Sequence, residues 1–364
     1  MALKCGIVGL TNVGKTTLFN CVSNTKAEAT SFAFSTNKSN MGTVEVPDPR
    51  QDVLKELYSS QKIIPVSVEL VDIPGLAKGA SKGEGIGNSF LADIRQSDAL
   101  IHVLRCFDDI NLPHVEGSVD PVRDIEILEF ELQIKDLEQV ERKMQRLEKM
   151  AKTGDKDAKK GFEVLSLYKA HFENFQPART IELSEDDKKH AKELCLLTEK
   201  PVMYVCNVDE KSAVTGNAYV EKVKESLKGT DAEVLVIAGA VEAEIAELDA
   251  EDGLVFLNDL GLEEPGVDKV VRAAYKLLNL STFFTCGPKE IHSWTIKNGM
   301  TAPQAAGVIH SDLERGFIRA EVIKYNDIKE LKTEAKCREA GKFNVEGKTY
   351  LVQDGDLLNI RFNV

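Results

Sequence analysis

The chain lacks any run of about 18 apolar residues, so no helical membrane span is expected. Its first residues, Met-Ala-Leu-Lys-Cys, lead straight into an apolar segment, which leaves no room for a signal peptide and points to a cytoplasmic protein. It also lacks a C-x-x-C pair. The seven cysteines, at 5, 21, 106, 195, 206, 286 and 337, are scattered and odd in number, which excludes a disulfide framework and a zinc-finger spacing and leaves them as reduced packing residues. Aromatic residues make up only 6%, and the one tryptophan, Trp294, sits amid apolar–polar alternation and reads as core. Positive charge is in deficit: 46 Lys and Arg stand against 59 Asp and Glu, a net of −13. Global attraction to nucleic acid is thereby excluded, and any RNA partner must be met by a local basic patch. From residue 278 onward there are 12 Lys and Arg against 11 Asp and Glu, a net of +1, which leaves −14 on the residues before it.

What is present begins at residues 4–20, Lys-Cys-Gly-Ile-Val-Gly-Leu-Thr-Asn-Val-Gly-Lys-Thr-Thr-Leu-Phe-Asn. An apolar strand over 4–8 runs into a glycine-punctuated turn and then a helical stretch, and Gly9, Gly14, Lys15 and Thr16 meet the phosphate-binding pattern G-x-x-x-x-G-K-[ST]. In such a loop backbone N–H groups turn inward on phosphates, Lys15 sets a charge on the terminal phosphates, and the Thr16 hydroxyl can coordinate Mg²⁺. Residues 27–41 are rich in Ser, Thr and Asn and cannot build a core. In nucleotide switches a loop of this kind carries a threonine that reaches Mg²⁺ only when the γ-phosphate is present. Thr36 is the candidate, with Thr30 and Thr43 as rivals.

A second apolar strand ends in Asp72-Ile-Pro-Gly75, 57 residues after Lys15. Asp72 would hold Mg²⁺ through water, and the Gly75 N–H would sense the γ-phosphate. Leu76 follows, where Ras-like enzymes carry the glutamine that orients the attacking water, so another group must position that water if hydrolysis occurs. Glycines at 79, 83, 85 and 87 suit a second nucleotide-sensitive loop. Residues 99–107 form a further buried strand, in which His102 reads as a core histidine. From 127 to 151 the apolar residues Ile127, Phe130, Ile134, Leu137, Val140, Met144, Leu147 and Ala151 recur every three or four positions, predicting a long amphipathic helix in an inserted helical hairpin. Around its Gly154 turn lie Arg142, Lys143, Arg146, Lys149, Lys152, Lys156, Lys159 and Lys160 against Glu148, Asp155 and Asp157: either a site for rRNA phosphates or a solvated tip.

The strand over 201–207 ends in Asn207-Val-Asp-Glu210, in the frame where guanine-specific enzymes carry N-K-x-D. Asp209 is one place early and Glu210 a methylene longer, so guanine's two donors are poorly matched, while the Asn207 amide can pair with adenine N6 and N7. The ligand is therefore expected to be ATP, with GTP the alternative. After residue 278 the pattern changes to short strands around a helix, a compact α+β domain.

Taken together, Gly9-Leu-Thr-Asn-Val-Gly-Lys-Thr-Thr, Asp72-Ile-Pro-Gly-Leu, Gly83-Glu-Gly-Ile-Gly-Asn, His114-Val-Glu-Gly-Ser-Val-Asp-Pro and Asn207-Val-Asp-Glu closely resemble the YchF subfamily of Obg-like P-loop ATPases, along the whole chain. The resemblance implies a doubly wound, mostly parallel α/β P-loop sheet, a coiled-coil insert and a C-terminal ubiquitin-like β-grasp (TGS) domain. Residues 1–122 and 201–277 would form the nucleotide-binding domain, 123–200 the helical insert and 278–364 the C-terminal domain. It implies an ATPase, slow unless stimulated, with Mg²⁺ on Thr16, Thr36 and Asp72 and a nucleotide held by Asn12, Val13, Gly14, Lys15, Thr16, Thr17, Gly75, Asn207, Val208, Ala238, Gly239 and Ala240. Asn12 matches an asparagine that in potassium-dependent relatives helps hold K⁺, and His114 a histidine proposed to take over water positioning. Where relatives usually show Ser-Ala in the base-closing loop, this chain has Ala238-Gly239. The implied partner is the ribosome, through the large subunit or rRNA and the helical and TGS domains, for a monomer without membrane contact.

Overall fold

The computed structural model describes residues 3–23, 39–75 and 86–363. Along the chain run β1 (Lys4–Val8), α1 (Lys15–Ser23), β2 (Asn40–Glu45), α2 (Arg50–Tyr58), β3 (Lys62–Ile64), β4 (Ser67–Asp72), α3 (Ile86–Gln96), β5 (Ala99–Arg105), α4 (Pro121–Lys152), α5 (Lys156–Glu173), α6 (Glu185–Lys192), β6 (Val202–Asn207), α7 (Ala218–Ser226), β7 (Val234–Ile237), α8 (Gly239–Ile245), α9 (Ala250–Asp259) and α10 (Gly266–Leu277). There follow β8 (Leu280–Cys286), β9 (Glu290–Lys297), α11 (Ala302–Ile309), α12 (Ser311–Arg315), β10 (Phe317–Lys324), α13 (Tyr325–Leu331), α14 (Glu334–Glu339), β11 (Phe343–Glu346) and β12 (Asp356–Phe362).

The first sheet has the order β2-β4-β1-β5-β6-β7, and β4, β1, β5, β6 and β7 are mutually parallel. Every residue of β5 and β6 is buried, which is why both read as continuous apolar runs rather than alternations. Consecutive parallel strands fall on opposite sides of β1, β4 on one and β5 on the other, so a crevice opens at the carboxyl end of β1. This is the expected doubly wound α/β architecture.

The second sheet has the order β11-β10-β12-β8-β9-β3. Its β8–β9 hairpin is antiparallel, β12 runs parallel to β8, and α11 packs its alanines into a core with Phe283, Ile296, Phe317 and Val322. One strand comes from far away: β3 pairs in parallel with β9, Ile63 opposite Ile291. Helix α2 joins the same core through Leu54, which packs with Phe284 and Ile291, and Gln51 donates to Ser293 Oγ at 3.0 Å. The chain thus divides into one compact unit of 1–43 and 69–270 and a second of 44–68 and 271–364. Sequence alone places 44–68 with the nucleotide-binding part, because a three-residue strand carries no sign of which sheet it will join.

The long helix is present as α4, capped by Asp120 with Pro121 in its first turn, and α5 returns from the Gly154 turn with Asp155 as its cap. Its buried stripe corrects the heptad phase. In the first half Pro121, Ile125, Leu128 and Leu132 are buried, whereas Phe130 is 46% exposed. Only in the second half do Leu137, Val140, Met144 and Leu147 face a core, made with Val164, Leu165, Tyr168 and Phe172 of α5. Helix α4 packs on β5 and α7 as well as on α5, and its second half is the part whose apolar residues join the α5 core.

Asp136 ties this helix to the return of the chain. Fully buried, its carboxylate accepts from Leu197 N and Thr198 N, both at 2.8 Å, and from Thr198 Oγ1 at 2.7 Å. Thr198 Oγ1 in turn accepts from Ala178 N at 3.0 Å. Asp136→Ala would strand three buried donors and should lower stability by about 3 kcal/mol, measured by urea unfolding, where Asp136→Asn should recover part of the loss.

Candidate nucleotide site

The site lies where β1 meets α1. Turning a buried strand sharply into a helix requires backbone that side chains resist: Asn12 sits at φ +62° and Gly14 at φ +97°. A Cβ on Gly14 would come within 2.3 Å of Asn207 Nδ2, so a glycine is required here by both conformation and space. At the head of α1 Lys15 is buried, its Nζ donates to Leu10 O at 2.6 Å, and burial pushes its pKa down to about 8 against the pull of Asp72. A cationic group folded over main-chain carbonyl oxygen beside a helix N-terminus is poised for an anion.

Thr16 Oγ1 donates to Asp72 Oδ2 at 2.9 Å, which joins the P-loop to the end of β4. Burial raises the Asp72 pKa, opposed by Thr16, Lys15 and Asn40. Its other oxygen, Oδ1, is buried without any hydrogen-bond partner. A hydroxyl and a carboxylate with an unmet lone pair are the hard oxygen donors that Mg²⁺ takes, so the residues fit that ion. Gly75 comes so near that a Cβ there would lie 3.0 Å from Lys15 Nζ. Thr30, Thr36, Leu76 and the glycine-rich residues 79–85 lie outside the described residues.

Asn207, at the end of β6, is 6% exposed and spans the crevice: Nδ2 donates to Val13 O at 3.0 Å and Oδ1 accepts from Gly239 N at 2.9 Å. It is a strut between the P-loop and the loop after β7, and one N–H and one lone pair remain for a base. Val208 N donates to Ile237 O at 2.8 Å, which sets Ala238, Gly239 and Ala240 at the start of α8 beside it. Asp209 is turned elsewhere. Its Oδ1 accepts from Ser212 N at 3.0 Å and caps a short 3-10 turn over Glu210–Ser212.

His114 differs from a surface-loop histidine. It is buried, Nε2 pairs with Asp124 Oδ2 at 2.9 Å, and Nδ1 accepts from Glu116 N at 3.1 Å. Both ring nitrogens are engaged inward, so in this arrangement the imidazole offers nothing to a water. Burial raises the Asp124 pKa against the pull of His114 and Arg123. The residue before it, Pro113, accepts from Asn12 Nδ2 at 3.3 Å, so one hydrogen bond links the P-loop to the His114 loop.

The sequence reading passed over Arg105, at the end of β5. Its guanidinium, 1% exposed, donates to Phe107 O at 3.1 Å, Leu112 O at 2.7 Å and Asp109 O at 3.3 Å. It therefore holds the whole 107–112 loop that leads to Pro113 and His114. The available signal was an arginine closing a strand otherwise made of apolar residues and His102. His102 itself is core as expected, its ring tilted against that of Tyr204 with centroids 5.6 Å apart, and burial pushes its pKa down to about 3.

Known proteins agree with this geometry. A family model described as a 50S ribosome-binding GTPase matches residues 4–153, and the YchF-type GTPase C-terminal model, described as a protein of unknown function, matches residues 280–363. The chain is 50% identical over 366 residues to the ribosome-binding ATPase YchF of Bacillus subtilis (strain 168), and 50% identical over 364 residues to that of Escherichia coli O157:H7, covering 100% of both chains in each case. The solved structure of the Schizosaccharomyces pombe YchF GTPase superposes with a TM-score of 0.85 at 36% identity, covering 99% of this chain and 98% of that one. Full-length identity of this order, on a P-loop whose Lys15, Thr16 and Asp72 converge at the end of β1, makes the chain a member of the YchF family of P-loop nucleoside triphosphatases.

Proposed function

We propose that this protein is an ATP-hydrolysing switch that associates with ribosomes in the cytoplasm; the relatives it matches along its full length are named ribosome-binding ATPases. The observation that carries the reading is the Lys15, Thr16 and Asp72 constellation, with a carboxylate oxygen left unpaired for a cation. Mg²⁺ would be held by Thr16 and Asp72, completed by Thr36. When bound it supplies charge neutralisation between the phosphates. Lys15 neutralises the terminal phosphates, and Gly75 N–H reports the γ-phosphate to the loops beyond it. Asn12 is the candidate K⁺ ligand, and ligation there would act on the Asn12–Pro113 hydrogen bond and so on the His114 loop.

ATP is favoured over GTP because Asp209, the nearest match to a guanine-reading carboxylate, is used as a helical-turn cap. On the ribosomal side, Arg142, Arg146 and Lys149 recur at helical spacing on α4 and are exposed, as are Lys156 and Lys159 at the head of α5. Lys143, Lys152 and Lys160 are paired with Glu193, Glu148 and Asp187. Five of the eight basic residues are thus left to meet phosphates.

Calorimetry with ATP and GTP, followed by phosphate release with and without ribosomes in K⁺ and in Na⁺ buffer, tests the reading. Tighter ATP binding, ribosome-stimulated turnover and faster turnover in K⁺ are expected. GTP bound tenfold more tightly would make the protein a GTPase of the same mechanism, as the name of its S. pombe relative suggests, and equal rates in K⁺ and Na⁺ would remove the Asn12 role. No phosphate release even with ribosomes would reduce it to a nucleotide-gated binding module.

A further inference from the structure

Helix α9 is apolar on the side where a solvent-facing helix is ordinarily polar. Gly253 and Leu257 are buried, with Phe256 and Leu260 half-buried beside them, so this is the side that packs on the protein. Residues 251, 254, 255 and 258 recur at helical spacing on the opposite side, and two of them are aliphatic: Leu254 is 59% and Val255 60% exposed. Leu248, 41% exposed, precedes the helix, and Val214, 58% exposed, adjoins the turn after it, where a Cβ on Gly261 would lie 4.0 Å from Val214 Cγ2. Aliphatic side chains scattered singly over a surface are ordinary, whereas an adjacent pair on one face with another beyond each end is a contact surface.

The charges around this face identify what covers it. Residues 242–264 hold nine Asp and Glu and no Lys, Arg or His. Glu242 is used inside, where it accepts from Gly266 N at 2.7 Å and Val267 N at 3.3 Å. Glu244, Glu247, Asp249, Glu251, Asp252 and Asp259 are exposed, and among the described residues none of these six forms an ion pair. Around α7, by contrast, Glu221 and Glu225 are paired with Lys224 and Lys228. Helix chemistry accounts for three of the six: Asp249 Oδ1 accepts from Glu251 N at 3.1 Å and Asp252 N at 2.9 Å, and Glu251 and Asp252 stand at the positive end of α9. It does not account for Glu244 in the last turn of α8 or Asp259 at the end of α9, where a carboxylate meets the negative end of its helix. Like charges crowded in this way are relieved by a cationic partner.

We propose that the outer face of α9 docks a basic amphipathic helix of a partner protein, whose aliphatic side chains lie on Leu254 and Val255 while its lysines and arginines meet the carboxylates on either side. Glu251 and Asp259 bracket the aliphatic pair about 12 Å apart along the helix axis, a separation that basic residues about eight positions apart on a facing helix reproduce. The same carboxylates repel RNA and anionic lipid, which leaves a cationic polypeptide as the occupant. The surface is small and its charges are exposed, so the contact is weak and sensitive to salt. None of these residues contacts the P-loop or the base-closing residues, and the assignment stands whichever triphosphate the P-loop hydrolyses.

The test titrates the full chain against a fluorescein-labelled peptide of Leu and Lys patterned as an amphipathic helix, with a scrambled peptide of the same composition beside it, and reads fluorescence anisotropy at low and at physiological salt. Saturable binding with a Kd on the order of 10 μM at low salt is expected, weakened several-fold by the added salt and at least about fivefold tighter than that of the scrambled peptide. Leu254→Ser combined with Val255→Ser should weaken it at least about fivefold, as should Glu251→Lys combined with Asp259→Lys, and both proteins should melt close to the parent because the positions are exposed. Glu221→Lys combined with Glu225→Lys, on α7, is the control and should leave binding unchanged. Absence of saturable binding, equal affinity for the scrambled peptide, unchanged binding in either α9 variant, or equal weakening by the α7 control overturns the proposal. Sedimentation of the chain alone adds one more outcome: self-association that the Leu254→Ser and Val255→Ser changes abolish would assign the face to a second copy and also overturn it.

Discussion

Lys15→Ala is expected to weaken ATP binding by about a hundredfold or more and to bring turnover to background, the cost of removing one preorganised charge from a site that excludes water. The ammonium is already buried, held at 2.6 Å from the Leu10 carbonyl, so no ordering is required when a phosphate takes that place. Its companion Asp72→Asn separates metal binding from folding. The carboxylate is buried with its pKa raised and one oxygen unmatched, so a neutral amide removes a desolvation cost, and the nucleotide-free protein should melt no lower than the parent. The rise in melting temperature on adding Mg²⁺ and ATP should shrink sharply, because that rise scales with affinity for the loaded state. EDTA should abolish the rise in the parent and change little in the variant. Melting curves with and without Mg²⁺-ATP provide all of these readouts, and a large Mg²⁺-dependent shift in Asp72→Asn would show that the cation is held elsewhere.

Arg105→Ala carries the next largest effect. Its guanidinium satisfies three main-chain carbonyls of one loop and lies over the Phe107 ring, 4.8 Å from its centroid. Truncation leaves those carbonyls facing a void in a fully buried place, and a loss of about 3–5 kcal/mol in urea unfolding is expected. Turnover should fall as well, because Pro113, whose carbonyl accepts from Asn12 of the P-loop, follows directly on the loop that Arg105 holds. Arg105→Lys would restore the charge but only one of the directions in which the fork donates, and should recover only part of the loss. A stable Arg105→Ala protein with parental turnover would mean that the loop is held by its other contacts.

Gly14, Lys15, Thr16 and Asp72 were readable because the phosphate loop is built from consecutive residues and its partner strand ends in a short motif, so the chemistry is encoded locally. The parallel sheet was readable from the apolar continuity of residues 99–105 and 202–207. Asn207 was found but its working state was not. That its amide is a strut between Val13 and Gly239 depends on three segments separated by up to 194 positions meeting at one point. The same holds for His114: the motif marks it, whereas its engagement by Asp124 and Glu116 depends on how α4 begins.

Sequence alone determined that this chain binds a nucleoside triphosphate on a P-loop, that a long charged helix interrupts its sheet, and that a different α+β unit follows, because these are written in residues close together along the chain or in their periodicity. Only the tertiary structure decided that β3 joins the C-terminal sheet and α2 its core, that α4 changes its buried face halfway along, and that Asp209 caps a turn. Each of these is a pairing between residues far apart in sequence. Pairings of that kind are chosen by packing and hydrogen-bond satisfaction over the whole unit, and no local pattern carries them.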